Sequence, residues 1–116
     1  MKKTLLLSLV FCLALAGCST GSPTNPTAKS VLKDDAQADI LQYEGLIYQQ
    51  VSDLDITFTK GEILGEIKKT TTRWLGFKNL YATQLAVGTE LFSTNTQYMI
   101  AEVDGKQIPY IALIEG

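Results

Sequence analysis

Apolar and polar positions divide the chain into three regimes. Lys2 and Lys3 precede an unbroken run of apolar and small residues over 5–16, and positions 19–27 (STGSPTNPT) are then small, polar or proline. From Ile40 onward apolar residues recur at strand-like intervals. Residues 45–51 hold Leu46, Ile47, Tyr48 and Val51, types that favour extended backbone, and predict a first strand with Gly45 as a bulge or close approach. An amphipathic helix over 39–48 is the alternative, weakened by about 1 kcal/mol because Gly45 lies inside it. Residues 53–59 alternate, with Leu54, Ile56 and Phe58 facing one way and Asp55, Thr57 and Thr59 the other, which predicts a half-buried strand. Lys60-Gly61 predicts a turn, and 63–67 a further strand that Thr70, Thr71 and Thr72 can extend.

Residues 73–82 (RWLGFKNLYA) are aromatic but aperiodic, and Gly76 and Asn79 mark them as loop. Over 83–92 a turn at Gly88 leads into a strand at Leu91 and Phe92. Asp104-Gly105 between the apolar runs 98–103 and 107–114 is the strongest hairpin signal, because a type I′ turn needs positive φ at both central residues. In 107–114, Ile108, Tyr110, Ala112 and Ile114 line one face while Ile111 and Leu113 line the other. Two apolar faces predict a central or barrel-closing strand, with Pro109 placed where no ladder donor is needed. The expected fold is mainly β: a small barrel or sandwich of five to six short strands. A short helix near 34–43 would make it α+β.

The apolar run over 5–16 is about half of the roughly 20 residues that span a bilayer, and the segment after it is polar, so the pattern is that of a secretory signal rather than a span. Leu15-Ala16-Gly17-Cys18 resembles the lipobox of bacterial lipoproteins. That resemblance implies cleavage before Cys18, a diacylglyceryl thioether on its sulfur and an acylated new amino terminus. The expected organisation is a signal peptide over 1–17, the lipidated cysteine and a flexible tether over 18–33, and a single β-rich domain over 34–116. The tether composition cannot bury enough apolar surface to fold.

Cleavage would leave 99 of the 116 residues, the size of one small domain. Loss of Lys2 and Lys3 would leave eight cations against twelve acids, a net charge of −4, which argues against a nucleic-acid partner. Cys12 would depart with the signal peptide and Cys18 would be blocked, so cysteine chemistry is excluded. The chain contains no histidine, which excludes Ser-His-Asp and Cys-His mechanisms and the familiar catalytic zinc sites. No cofactor or catalytic residue is assigned, and the chain is expected not to be an enzyme.

Four cations without an intervening acid, Lys68, Lys69, Arg73 and Lys78, are interleaved with Trp74 and Phe77 and followed by Tyr81. As a surface, this segment suits an envelope protein, an anionic envelope polymer or lipid headgroups. Alternatively, Trp74 and Phe77 cap the core while the cations stay solvated. Tyr43, Tyr48, Tyr81, Tyr98 and Tyr110 with Trp74 suggest a second possibility, an aromatic groove for a small molecule or sugar. A third is a hydrolase using Glu62, Glu66 or Asp55. Glu62 and Glu66, four apart on a strand, stand about 13 Å apart, beyond the roughly 5–9.5 Å of paired glycosidase carboxylates. Asp53 and Asp55 lack the ligand run of a calcium loop. The favoured expectation is a lipid-anchored extracytoplasmic binding or accessory domain of the envelope.

Gly61-Glu62-Ile63-Leu64-Gly65-Glu66-Ile67 and Val87-Gly88-Thr89-Glu90-Leu91 make the domain similar to small lipoproteins of Bacillus-like bacteria. The resemblance implies a monoderm host and an extracytoplasmic location, and no catalytic residues.

Overall fold

The computed structural model describes residues 25–52, 54 and 56–114. The expected signal peptide over 1–17 and Cys18 lie outside the described residues. Among the described residues one helix, α1 (Ala28–Asp34), precedes eight strands: β1 (Ile40–Tyr43), β2 (Leu46–Gln50), β3 (Lys60–Glu66), β4 (Lys69–Thr70), β5 (Tyr81–Ala82), β6 (Glu90–Thr94), β7 (Tyr98–Val103) and β8 (Lys106–Ala112). They form one curled half-barrel sheet in the order β3-β6-β7-β8-β2-β1-β5-β4. Mainly β architecture is therefore the fold, with more strands than expected because several are two to five residues long.

Two hairpins share one turn chemistry. Asp104 (φ 51°) and Gly105 (φ 79°) connect β7 to β8 with Val103 opposite Lys106, as the sequence predicts. Glu44 (φ 47°) and Gly45 (φ 83°) connect β1 to β2 with Tyr43 opposite Leu46 in the same way. Gly45 is thus a turn residue and not a bulge, and residues 40–43 form a strand rather than part of a helix. β8 is central, paired with β7 on one side and β2 on the other. The Pro109 carbonyl accepts from Val51 N–H just past the end of β2, so its ring nitrogen faces the place where the ladder stops.

Consecutive strands β3 and β4 lie at opposite ends of the sheet. The link between them belongs to both ends. Ile67 N–H donates to Thr89 O (2.9 Å) and Gly88 N–H to Ile67 O (2.8 Å), beside β6, while Lys68 N–H donates to Leu80 O (2.8 Å), beside β5. Gly65 permits this bend: its φ is 154°, and a Cβ there would meet Leu80 Cδ1 at 3.1 Å.

Each face of the sheet has a core. Leu41, Ile67, Leu80, Ala82, Leu85, Leu91, Met99, Ala101 and Tyr110 fill one side. Ile40 and Ile47 face the other, where Ala28, Leu32 and Ala38 cover them and Val31, Trp74, Phe77 and Leu113 pack around the edge. Adjacent Ile40 and Leu41 enter different cores, so the apolar density of β1 reflects a strand buried on both faces.

Three expectations are corrected. Residues 28–33, expected as tether, belong to α1, because Thr27 and Ser30 form a reciprocal capping box and Ala28 and Leu32, one turn apart, are both buried. Residues 54 and 56–59 are not strand: Ile56 is 58% exposed, and Phe58 is held by a side chain instead of a neighbouring strand. Gln107 Oε1 accepts from Phe58 N–H (2.9 Å) and Gln107 Nε2 donates to Phe58 O (3.0 Å). Finally, Lys60-Gly61 is no turn but the start of β3, with Lys60 opposite Thr94.

Candidate functional site

The basic aromatic segment is a loop stapled at its base. Thr70 Oγ1 donates to Leu85 O (2.7 Å) and Thr71 N–H to Ala82 O (2.9 Å), fastening the outgoing strand beside the returning one. Leu80 N–H reaches Gln42 O (2.7 Å), and Asn79 Oδ1 accepts from Glu44 N–H (2.8 Å), so the return is tied to the β1–β2 hairpin. Between these ties Arg73 N–H donates to Thr71 Oγ1 (3.1 Å), and Phe77 N–H to Trp74 O (3.1 Å). That last bond, with Gly76 at φ 81°, closes a four-residue turn of type II character whose third position requires glycine. Leu75 is left at the tip, 75% exposed.

Trp74 and Phe77 are half-buried against the helix-side core, as the core-capping alternative holds. They also belong to a continuous surface strip. Lys29 Nζ lies 5.0 Å from the Trp74 ring centre, Phe77 meets the Tyr81 ring edge-on at 5.9 Å, and Lys69 Nζ lies 5.7 Å from Tyr81. Of the residues singled out in the sequence, Lys69, Phe77 and Tyr81 are joined by these contacts, and Trp74 is tied to them through the Phe77 N–H to Trp74 O bond of the turn. Lys68, Arg73 and Lys78 are exposed around them. Among the described residues the one ion pair is Lys60–Glu102 (3.1 Å), so no described carboxylate forms an ion pair with the strip's cations.

Two members of the surface were missed. Lys29 lies in a segment read as tether, and with Lys33 one helical turn later it adds cations from a distant part of the chain. Leu75 carried a signal, the Leu-Gly step of a turn, but exposure is not a property of sequence pattern.

The other constellations do not assemble. Tyr110 is fully buried, donating to Asp39 Oδ1 at 2.7 Å, while Tyr43 packs on Tyr48 and Tyr98 on Phe58. A cavity of about 170 Å³ near Tyr48 and Tyr98 is below the roughly 300 Å³ at which ligand pockets begin. A larger one, about 630 Å³, lies between α1 and the sheet, lined by Thr27, Ser30, Asp34, Asp35, Gln49 and Leu113 without any aromatic ring. Glu62 and Glu66 are exposed on β3, and Asp55 lies outside the described residues. Among the described residues no group of three or more potential metal ligands occurs, and no helix is long and apolar enough to cross a membrane. No protein-family model, curated protein or solved structure matches the chain.

Proposed function

We propose that this is a lipid-anchored extracytoplasmic binding or accessory domain of the cell envelope, held to the membrane through Cys18 and making its contacts through the basic aromatic loop. It works by recognition and not by catalysis. The observation that carries this reading is the turn at 74–77, where Leu75 projects between two half-buried aromatics and exposed Arg73 and Lys78. A loop fastened at four points has little reason in stability alone to expose its leucine. Acyl chains on Cys18, at about 0.8 kcal/mol per buried CH₂, would make anchoring effectively permanent, leaving the loop free to set specificity rather than residence.

Two measurements test the proposal. Cells grown with labelled fatty acid should label the native chain and leave Cys18→Ala unlabelled and in the soluble fraction. Crosslinking in intact cells should capture envelope material with the native chain and lose it when Arg73, Trp74 and Lys78 are replaced together. Fatty-acid incorporation by Cys18→Ala would overturn the anchoring half, and identical captures would overturn the recognition half.

A further inference from the structure

Resting on the lipid-anchored reading, we infer that the loop's partner is the anionic headgroup layer of the membrane that carries the anchor, with Leu75 inserted between headgroups and the surrounding cations on phosphate. Position is the first argument. Lys29 stands over Trp74 and belongs to the first turn of α1, so the strip flanks the start of α1. Only residues 19–27 separate Cys18 from α1, and a coil of nine residues would span roughly 17 Å on average. The loop is therefore on the tether's side of the domain and within reach of the surface.

Charge supplies the second argument. A mature chain of net charge −4 is repelled as a whole by an anionic leaflet, yet Lys68, Lys69, Arg73 and Lys78 lie in or at the base of one loop and Lys29 stands over its Trp74. Such a distribution turns the molecule so that this side faces the membrane. Shape supplies the third. A folded partner protein is met by a groove or a broad apolar patch, whereas a single exposed leucine on a tight turn between tryptophan and phenylalanine suits a fluid interface that closes around it. The tether makes a weak contact sufficient, because it holds the loop at an effective concentration of order millimolar.

The chain contains one tryptophan, Trp74, so its fluorescence reports on this loop alone. Full-length acylated protein is reconstituted into phosphatidylcholine vesicles with and without phosphatidylglycerol, each with chain-brominated lipid as quencher. Trp74 emission should be quenched and blue-shifted only with phosphatidylglycerol present. The effect should fade near 1 M salt, where the screening length is about 3 Å. A Trp74→Phe, Leu75→Trp variant moves the probe to the tip and should be quenched more strongly. In the unacylated Cys18→Ser chain, Arg73→Gln with Lys78→Gln should weaken partition into these vesicles about thirty-fold, from about fivefold per cation, with the thermal midpoint unchanged.

Emission that is equal in the two vesicle types, or a partition coefficient indifferent to the two charges, overturns the inference. Mass analysis of Cys18 and vesicle flotation separate the two levels. Acylated protein that floats with an unquenched Trp74 sinks the loop contact alone. An unacylated native chain sinks the anchoring proposal, while its partition into phosphatidylglycerol vesicles still decides the loop.

Discussion

The hydroxyl of Tyr110, in the central strand, donates to Asp39 Oδ1 at 2.7 Å, in the segment that joins the helix to the first strand. Burial raises the Asp39 carboxyl above its ordinary value of 3.8, an effect that outweighs the Tyr110 hydrogen bond acting the other way. Burial, then the hydrogen bond to Asp39 and its charge, push the Tyr110 phenol well above 10.0, so it remains a neutral donor. Asp39→Ala strands a fully buried hydroxyl and should cost about 1–3 kcal/mol. Asp39→Asn keeps an acceptor and removes the charge. Because the native state binds the Asp39 proton more tightly than the unfolded chain, the native protein should lose stability relative to Asp39→Asn as pH rises from 3.8 through the raised value. Urea midpoints of the two proteins across the acid range measure this. Parallel curves would remove Asp39 from the account.

Thr83, 4% exposed, is the buried polar residue where the loop segments meet the helix side. Its Oγ1 accepts from Ile40 N–H (2.9 Å) and donates to Ala38 O (2.7 Å), serving two backbone groups at the start of β1. Thr83→Val preserves shape and leaves both unsatisfied, so a loss of about 1–3 kcal/mol is expected in denaturant unfolding. Thr83→Ser, which keeps the hydroxyl, should recover most of it.

Gln107 does for Phe58 what a neighbouring strand does elsewhere. Gln107→Leu should expose the Phe58 amide to rapid hydrogen exchange and cost about 1–3 kcal/mol. Gln107→Glu retains the acceptor and loses the donor, so Phe58 N–H protection should persist while stability falls. Equal exchange in the two variants would show that the amide pair does not hold the segment.

What could be read from the sequence divides along the distance over which each interaction acts. Asp104-Gly105 was legible because a type I′ turn is decided by two adjacent residues. Glu44-Gly45 obeys the same backbone rule but lacks the Asn or Asp that advertises it, and the dense apolar residues around it fit helix and strand alike. The alternation over 53–59 has the period of a strand, yet among its described residues only Phe58 is buried, its backbone held by an amide supplied 49 residues later. The site divides similarly. Its aromatics and cations were visible as a composition change, whereas Lys29 over Trp74 joins positions that no local pattern connects.

Within the loop, stability and surface chemistry are carried by different residues. Leu75→Ser removes an exposed side chain and should shift unfolding free energy by no more than about 0.5 kcal/mol. Phe77→Ala removes a ring that packs on both the helix-side core and Tyr81, and should cost up to about 2 kcal/mol. Calorimetric midpoints compare them. A Leu75→Ser loss as large as that of Phe77→Ala would make the tip a structural element.

The central place of β8 bears on how the chain is made. β8 is the last of the eight strands to leave the ribosome and the one that joins β3, β6 and β7 to β2, β1, β5 and β4. Until residue 112 has been synthesised, no complete strand ladder joins the two parts of the sheet, and the link at Ile67 and Lys68 is their backbone connection. A nascent chain therefore has no complete sheet to fall into early. Such late closure suits a protein that must thread a translocation channel unfolded, the route that the proposed export signal would require.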